Sequence, residues 1–162
     1  MTKQLILMRH AKSSWSDVQL DDHDRPLNGR GEGNAEALGR WMASRQLRPD
    51  VILCSTARRT QETADHLNLS VAPTLKRSLY HATEDNMLDL IGRQSAASVM
   101  LIGHNPGIGA LAGLLAKPGD PHPRFHDYPT GATTVFTLEI ESWDQIGPGS
   151  GNVISFVIPK EL

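Results

Sequence analysis

Three short apolar runs punctuate the chain, Leu5–Met8, Val51–Cys54 and Val99–Ile102, each bounded by polar residues. Runs of four apolar residues without alternation predict strands buried on both faces, the pattern of a parallel sheet covered by helices. The segments between them carry helical spacing instead. Ala35, Leu38 and Met42, flanked by Trp41, predict a helix from about Gly31 to Gln46, entered through Arg25-Pro26-Leu27-Asn28. Pro49-Asp50 breaks that segment, and Ser55 stands where it would cap a helix from about Thr56 to Leu67. The middle of the chain predicts a short strand over Val71–Leu75, then a helix capped by Thr83 and running through Met87, Leu88 and Ile91. After the third run, Ile108, Leu111, Ala112, Leu115 and Ala116 repeat at i, i+3, i+4, i+7 and i+8, which predicts an amphipathic helix. Four prolines between Lys117 and Thr130 predict a surface loop.

Near the C-terminal end the period changes. Phe136, Leu138 and Ile140 alternate with Thr137 and Glu139, and Val153–Ile158 predicts a further strand, with Gly147–Gly151 as the turn between them. A hairpin-like pair would then close one side of an otherwise parallel sheet. The expected fold is an α/β, three-layer α/β/α sandwich with a mainly parallel sheet and an antiparallel edge, in a single domain over residues 1–162. At this length, with 39% of residues hydrophobic, the chain can bury a sizeable core and has little room for a second one. The formal net charge of −2 gives no basic excess, so neither nucleic acid nor a membrane surface is expected as a partner. No apolar run approaches the roughly 20 residues that span a bilayer. The one cysteine, Cys54, lies inside the second apolar run and reads as a small core hydrophobe. With no partner for an internal disulfide, it points to a cytoplasmic protein.

Chemistry is expected where the apolar runs end, because an open α/β sheet binds ligands outside the carboxyl ends of its strands. The first run ends in Arg9-His10, the second in Ser55 followed by Arg58-Arg59, and the third in Gly103-His104-Asn105. If these strands are parallel and adjacent, two imidazoles and two or three guanidiniums converge with almost no carboxylate among them. Such a pocket suits a dianion, most simply a phosphoryl group. Arg9 and Arg59 would grip its oxygens, one imidazole would accept the phosphoryl group covalently, and the second, protonated, would neutralise charge. Arg58 is expected as a salt-bridge or solvent residue rather than a ligand, and Trp15, Trp41 and Trp143 as packing residues. Tyr80 and His81 fit either the mouth of the pocket or a surface turn. His23, His66, His81, His122 and His126 form no pairing at a persuasive ligand spacing, so no metal and no other cofactor is expected.

The sequence also resembles a known family. Leu7-Met8-Arg9-His10-Ala11 is similar to the Arg-His-Gly signature of the histidine phosphatase (phosphoglycerate mutase-like) superfamily, in the Arg-His-Ala form of its short bacterial members. The likeness continues through Arg25-Pro26-Leu27, Ser55 with Arg59 and Thr63, Gly103-His104-Asn105-Pro106-Gly107 and Pro129-Thr130-Gly131-Ala132. The short length matches the SixA-type phosphohistidine phosphatases. The resemblance implies a phosphoglycerate mutase-like fold, His10 as the nucleophile, and Arg9, Arg59 and His104 as the phosphate pocket, with Ser13 or Ser14 adding a hydroxyl or amide. It implies an acidic proton donor without identifying it: Glu84 and Asp85 lie in the right region, with Asp17 and Asp21 as loop alternatives. The implied activity is a metal-independent phosphatase whose substrate is a phosphorylated protein bearing phosphohistidine. A small phosphorylated metabolite, or a phosphate-binding module without turnover, is the alternative.

Overall fold

The computed structural model describes residues 2–162. Six strands and four helices follow one another along the chain: β1 (Lys3–Arg9), α1 (Gly29–Ser44), β2 (Val51–Ser55), α2 (Arg58–Leu67), β3 (Thr74–Lys76), α3 (Glu84–Gly92), β4 (Ser98–Gly103), α4 (Gly107–Leu115), β5 (Thr133–Leu138) and β6 (Gly151–Val157). The strands form one sheet in the order β3-β2-β4-β1-β5-β6. The first four in that order run parallel, and β5 and β6 are antiparallel additions beside β1.

The apolar runs lack alternation because both faces of the sheet are covered. Leu5 and Leu7 of β1, Leu53 of β2 and Val99 and Leu101 of β4 join one core with Met87 and Ile91 of α3 and Ile108, Leu111 and Leu115 of α4. Ile6, Met8, Ile52, Cys54, Met100 and Ile102 point the other way, into a second core with Leu38 and Met42 of α1 and Ala64 and Leu67 of α2. The result is the expected three-layer sandwich. Cys54 is fully buried, and burial pushes its thiol up to about 12, consistent with an inert core residue.

Several boundaries differ from the sequence expectation, each for a local reason. Helix α1 starts two residues early, because the Asn28 side chain accepts from the Gly31 N–H at 2.8 Å and so caps the first turn. Ser55 is not a helix cap: it ends β2, and α2 begins at Arg58. The short third strand is Thr74–Lys76 rather than Val71–Leu75, since Pro73 supplies no N–H for a ladder. Strand β5 begins at Thr133, upstream of the alternating stretch, and ends at Leu138; Thr133 and Thr134 are completely buried, which hides them from a hydrophobicity pattern. Thr83 caps α3 as expected, accepting from the Asn86 N–H. Among the described residues, no helix is long and apolar enough to cross a membrane.

Candidate active site

The strand order sets β2, β4 and β1 side by side and parallel, so their carboxyl ends share one edge of the sheet. Arg9 lies opposite Gly103, and Cys54 opposite Ile102, which brings Arg9-His10, Ser55 and His104 level with one another. Their side chains meet in a cavity of about 220 Å³, lined by Arg9, His10, Arg59 and His104 and joined by Ser13. These four basic residues are thus brought together from β1, α2 and the turn after β4. The His10 and His104 rings stand 5.2 Å apart between centroids.

Each group is positioned by a specific partner. His10 Nδ1 lies 2.7 Å from the Ala11 carbonyl oxygen, which only an Nδ1–H can satisfy; Nε2 therefore keeps its lone pair. The Ala11 N–H in turn donates to Thr63 Oγ1 at 3.0 Å, and that hydroxyl donates to the Arg59 carbonyl at 2.7 Å. Thr63 thereby ties the residue after His10 to the helix that carries Arg59. The Gly131 N–H donates to the His10 carbonyl at 3.0 Å, closing the Pro129–Ala132 segment onto the end of β1. Ser55 Oγ lies 2.8 Å from His104 Nε2 and also accepts from the Ala57 N–H, so the residue expected as a cap orients an imidazole instead.

Burial dominates the electrostatics. His10 and His104 are only 6% and 4% exposed. Desolvation, helped by Arg9, Arg59 and Arg25, lowers His10 to about 3 against the opposing hydrogen bond to Ala11. His104 is likewise lowered to about 3, first by burial and then by His10, Arg59 and His81. Both imidazoles are therefore neutral at pH 7 in the field of the protein alone. That matches the lone pair expected on His10 and differs from the protonated state expected for His104, because burial, and then the neighbouring His10 and Arg59, disfavour a positive charge there. Among the described residues, three buried side-chain polar atoms have no hydrogen-bond partner: Arg9 Nε, Arg59 Nε and His104 Nδ1. Buried polar atoms without a partner are rare in folded proteins, and here all three belong to residues lining one cavity.

The surrounding residues were only partly legible in the sequence. Arg25, 7% exposed, donates to Ser13 Oγ at 2.8 Å and to the Ser14 carbonyl at 3.1 Å, so Ser13 rather than Ser14 reaches the cavity. Trp15 is not a packing residue: it is 73% exposed, lies against the Arg25 guanidinium at 3.5 Å and helps line the cavity. Trp143 is buried as expected. Lys12, His81, Asn105 and Thr130 complete the lining. Tyr80 stands behind His81 and donates to Asp22 Oδ2. The same carboxylate is held by Arg59 Nη2 at 3.0 Å, and Arg59 Nη1 donates to the Asp22 carbonyl at 2.7 Å. Burial alone would raise Asp22, but the Tyr80 and Arg59 contacts outweigh it and hold the carboxyl well below its ordinary range. Nothing in the sequence separates Asp22 from its neighbours Asp21 and Asp24. Arg58 pairs with Glu62 at 3.0 Å on the surface, as expected.

Among the described residues, no carboxylate side chain lines the cavity. Glu84 sits in the first turn of α3, half-buried, and the fold does not bring it to the site. Asp85, Asp17 and Asp21 are exposed and also stand away from the lining.

The family model of the histidine phosphatase superfamily (branch 1) matches residues 5–79. An uncharacterized protein of Mycobacterium tuberculosis is 30% identical over 160 residues, covering 94% of this chain and 100% of its own length. The solved structure of a protein assigned as phosphohistidine phosphatase SixA from Agrobacterium tumefaciens is 30% identical, with a TM-score of 0.80 over 97% of this chain and 99% of that one. The chain belongs to the histidine phosphatase superfamily. A second protein assigned as SixA, from Nakamurella multipartitia, superposes with a TM-score of 0.85 at 27% identity, covering 98% of this chain and 97% of that chain. The fold of this superfamily member is the phosphoglycerate mutase-like one that its sequence blocks imply.

Proposed function

We propose that the protein is a phosphohistidine phosphatase working without a metal, and that His10 is its nucleophile. The observation that carries this reading is the set of unpartnered buried nitrogens, Arg9 Nε, Arg59 Nε and His104 Nδ1, on residues that share a cavity with an imidazole whose Nε2 is free and neutral. A phosphoryl group entering the cavity would give the two arginine Nε–H donors an anionic acceptor, and a protonated His104 would add its Nδ1–H. His10 Nε2 attacks phosphorus in line with the departing nitrogen; a new N–P bond forms on His10 as the substrate N–P bond breaks. Arg9 and Arg59 hold the equatorial oxygens as charge shifts onto them. An arriving dianion also favours a proton on His104, opposing the penalty that burial, His10 and Arg59 impose. Water then attacks phosphorus, the His10 N–P bond breaks, and inorganic phosphate leaves.

The absence of any carboxylate from the cavity lining supports a phosphohistidine substrate over an alkyl ester. An alkoxide must be protonated as it leaves, which calls for a positioned acid. A phosphohistidine ring protonated at its other nitrogen leaves as neutral imidazole and needs no such group. The similarity to the SixA structures supports the same choice, with a phosphorylated protein as the partner.

The test is phosphate release from a phosphohistidine peptide and from an aryl phosphate, by the protein and by His10→Ala, together with trapping of an acid-labile, alkali-stable phosphoenzyme. The expectation is that His10→Ala loses both release and the trapped species. Equal release by the two proteins would remove His10 from the reaction. Turnover of the aryl phosphate with none of the peptide would overturn the phosphohistidine assignment.

A further inference from the structure

Beside the catalytic cavity lies a second polar hollow of about 190 Å³, to which Lys12, Arg30, Arg124 and Lys160 all contribute. Lys12 and Thr130 line both cavities, so the two share a wall. The cations come from four separate stretches of chain, and two close backbone approaches gather them. The first turn of α1 sits against the loop after β1: a Cβ on Gly31 would stand 2.0 Å from the Lys12 carbonyl oxygen, and the Asn28 N–H donates to that oxygen at 3.1 Å. Arg30 is thereby set beside Lys12. On the far side, a Cβ on Gly131 would stand 2.5 Å from Pro159 Cγ, which seats the C-terminal turn and its Lys160 against the Thr130-Gly131 backbone.

The charges there are not balanced within the chain. Among the described residues, Arg124 pairs with Asp127 at 2.8 Å and Glu161 with His122 at 2.9 Å, while Lys12, Arg30 and Lys160 have no carboxylate at ion-pair distance. Lys160 acts on Glu161 only through space. Yet the chain carries 18 acidic residues against 16 Lys and Arg, so carboxylates are not scarce. Three cations without an ion pair around one hollow repel each other, and an anion between them relieves that repulsion.

We propose that this hollow is an anion subsite for the same substrate. It takes a carboxylate carried next to the phosphorylated side chain, so the substrate class is a phosphoprotein segment with acidic residues flanking its phosphoryl group. The inference deepens the phosphatase reading by naming what lies beside the reacting group. It does not depend on which P–N or P–O bond is cleaved.

Binding is therefore measured without turnover. Two fluorescent phosphoserine peptides, identical except for flanking Glu or flanking Gln, are titrated by anisotropy into the His10→Ala protein. With Arg30 and Lys160 intact, the Glu peptide is expected to bind about tenfold more tightly at low salt, equivalent to about 1.4 kcal/mol. Raising the ionic strength should collapse that ratio, because exposed charge pairs are screened within about 10 Å at 0.1 M salt. Adding Arg30→Glu and Lys160→Glu should bring the ratio to one or below, while the same two changes in the His10-containing protein leave aryl phosphate turnover unaltered. Equal binding of the two peptides, or a preference that survives the charge reversal, would overturn the subsite. Pyrophosphate outcompeting phosphate through Arg30 and Lys160, with the two peptides bound equally, would overturn the acidic segment in favour of a small bis-anion. Loss of phosphohistidine hydrolysis alone would strike only the function proposed above, leaving the binding ratio intact.

Discussion

Replacing Thr63 by Val tests whether His10, the proposed nucleophile, is held by the helix that carries Arg59. The two side chains have nearly the same shape, and Thr63 is fully buried, so packing is conserved and only the hydroxyl is lost. That hydroxyl accepts from the Ala11 N–H at 3.0 Å and donates to the Arg59 carbonyl at 2.7 Å. The Arg59 carbonyl keeps its helical partner, whereas the Ala11 N–H, in a residue 1% exposed, is left with none. An unsatisfied buried donor costs roughly 1–3 kcal/mol, so the change should destabilise the fold by about 2 kcal/mol. For a domain of this size that corresponds to a fall in Tm of about 4–8 °C. The Ala11 carbonyl accepts from His10 Nδ1, so a loosened Ala11 also releases the ring, and kcat should fall by about tenfold or more. Thermal unfolding by circular dichroism and aryl phosphate turnover read the two effects, and Thr63→Ser, which keeps the hydroxyl, should restore much of both. A Thr63→Val protein within about 0.5 kcal/mol of wild type and with unchanged kcat would refute the reasoning.

Stability should depend on pH through the two site histidines. Their folded values are lowered from 6.5 to about 3, so the unfolded chain takes up protons first as the pH falls. The stability they contribute is fully present above pH 6.5 and is lost as the pH drops toward 3, by at most about 1.4 kcal/mol per pH unit for each histidine. Urea midpoints at pH 7.5 and pH 5 should fall with pH, and less so in His10→Ala; a flat profile in the native protein would contradict the neutral, buried assignment. Ser55→Ala removes the partner of His104 Nε2 and of the Ala57 N–H, and should cost about 1–2 kcal/mol along with a drop in kcat, read by unfolding and turnover. Cys54 should resist a thiol reagent in the native state and react on unfolding, since burial raises its thiol to about 12; rapid native labelling would contradict that. Turnover should survive a strong chelator, and a loss restored by added zinc would overturn the metal-independent reading.

The sheet and the four basic site residues were legible because they rest on strong local signals. Leu5–Met8, Val51–Cys54 and Val99–Ile102 are short enough to be strands and apolar enough to be buried on both faces, and polar residues at their ends stand out against them. Ser55 was legible as important but not in its role, because a serine after a strand looks the same whether it caps a helix or orients a distant imidazole. Trp15 shows the opposite failure: its size suggests packing, and only the neighbouring Arg25 explains why it stays exposed. Asp22 reaches Arg59 and Tyr80, 37 and 58 residues away, and no local pattern carries contacts of that range.

The sequence by itself determined that a cation and an imidazole end one buried strand and that a second imidazole ends another. Hydrophobic period and strand length are local properties, readable over a few residues. The order β2-β4-β1, by contrast, is decided by how helices cover the two faces, and it alone makes those strand ends neighbours. The same holds for the exclusion of Glu84 from the cavity, the neutral state of His104 and the gathering of Lys12, Arg30 and Lys160 around a second hollow. Desolvation and charge depend on what lies within a few ångströms in space, and that distance comes into being only when the chain is folded.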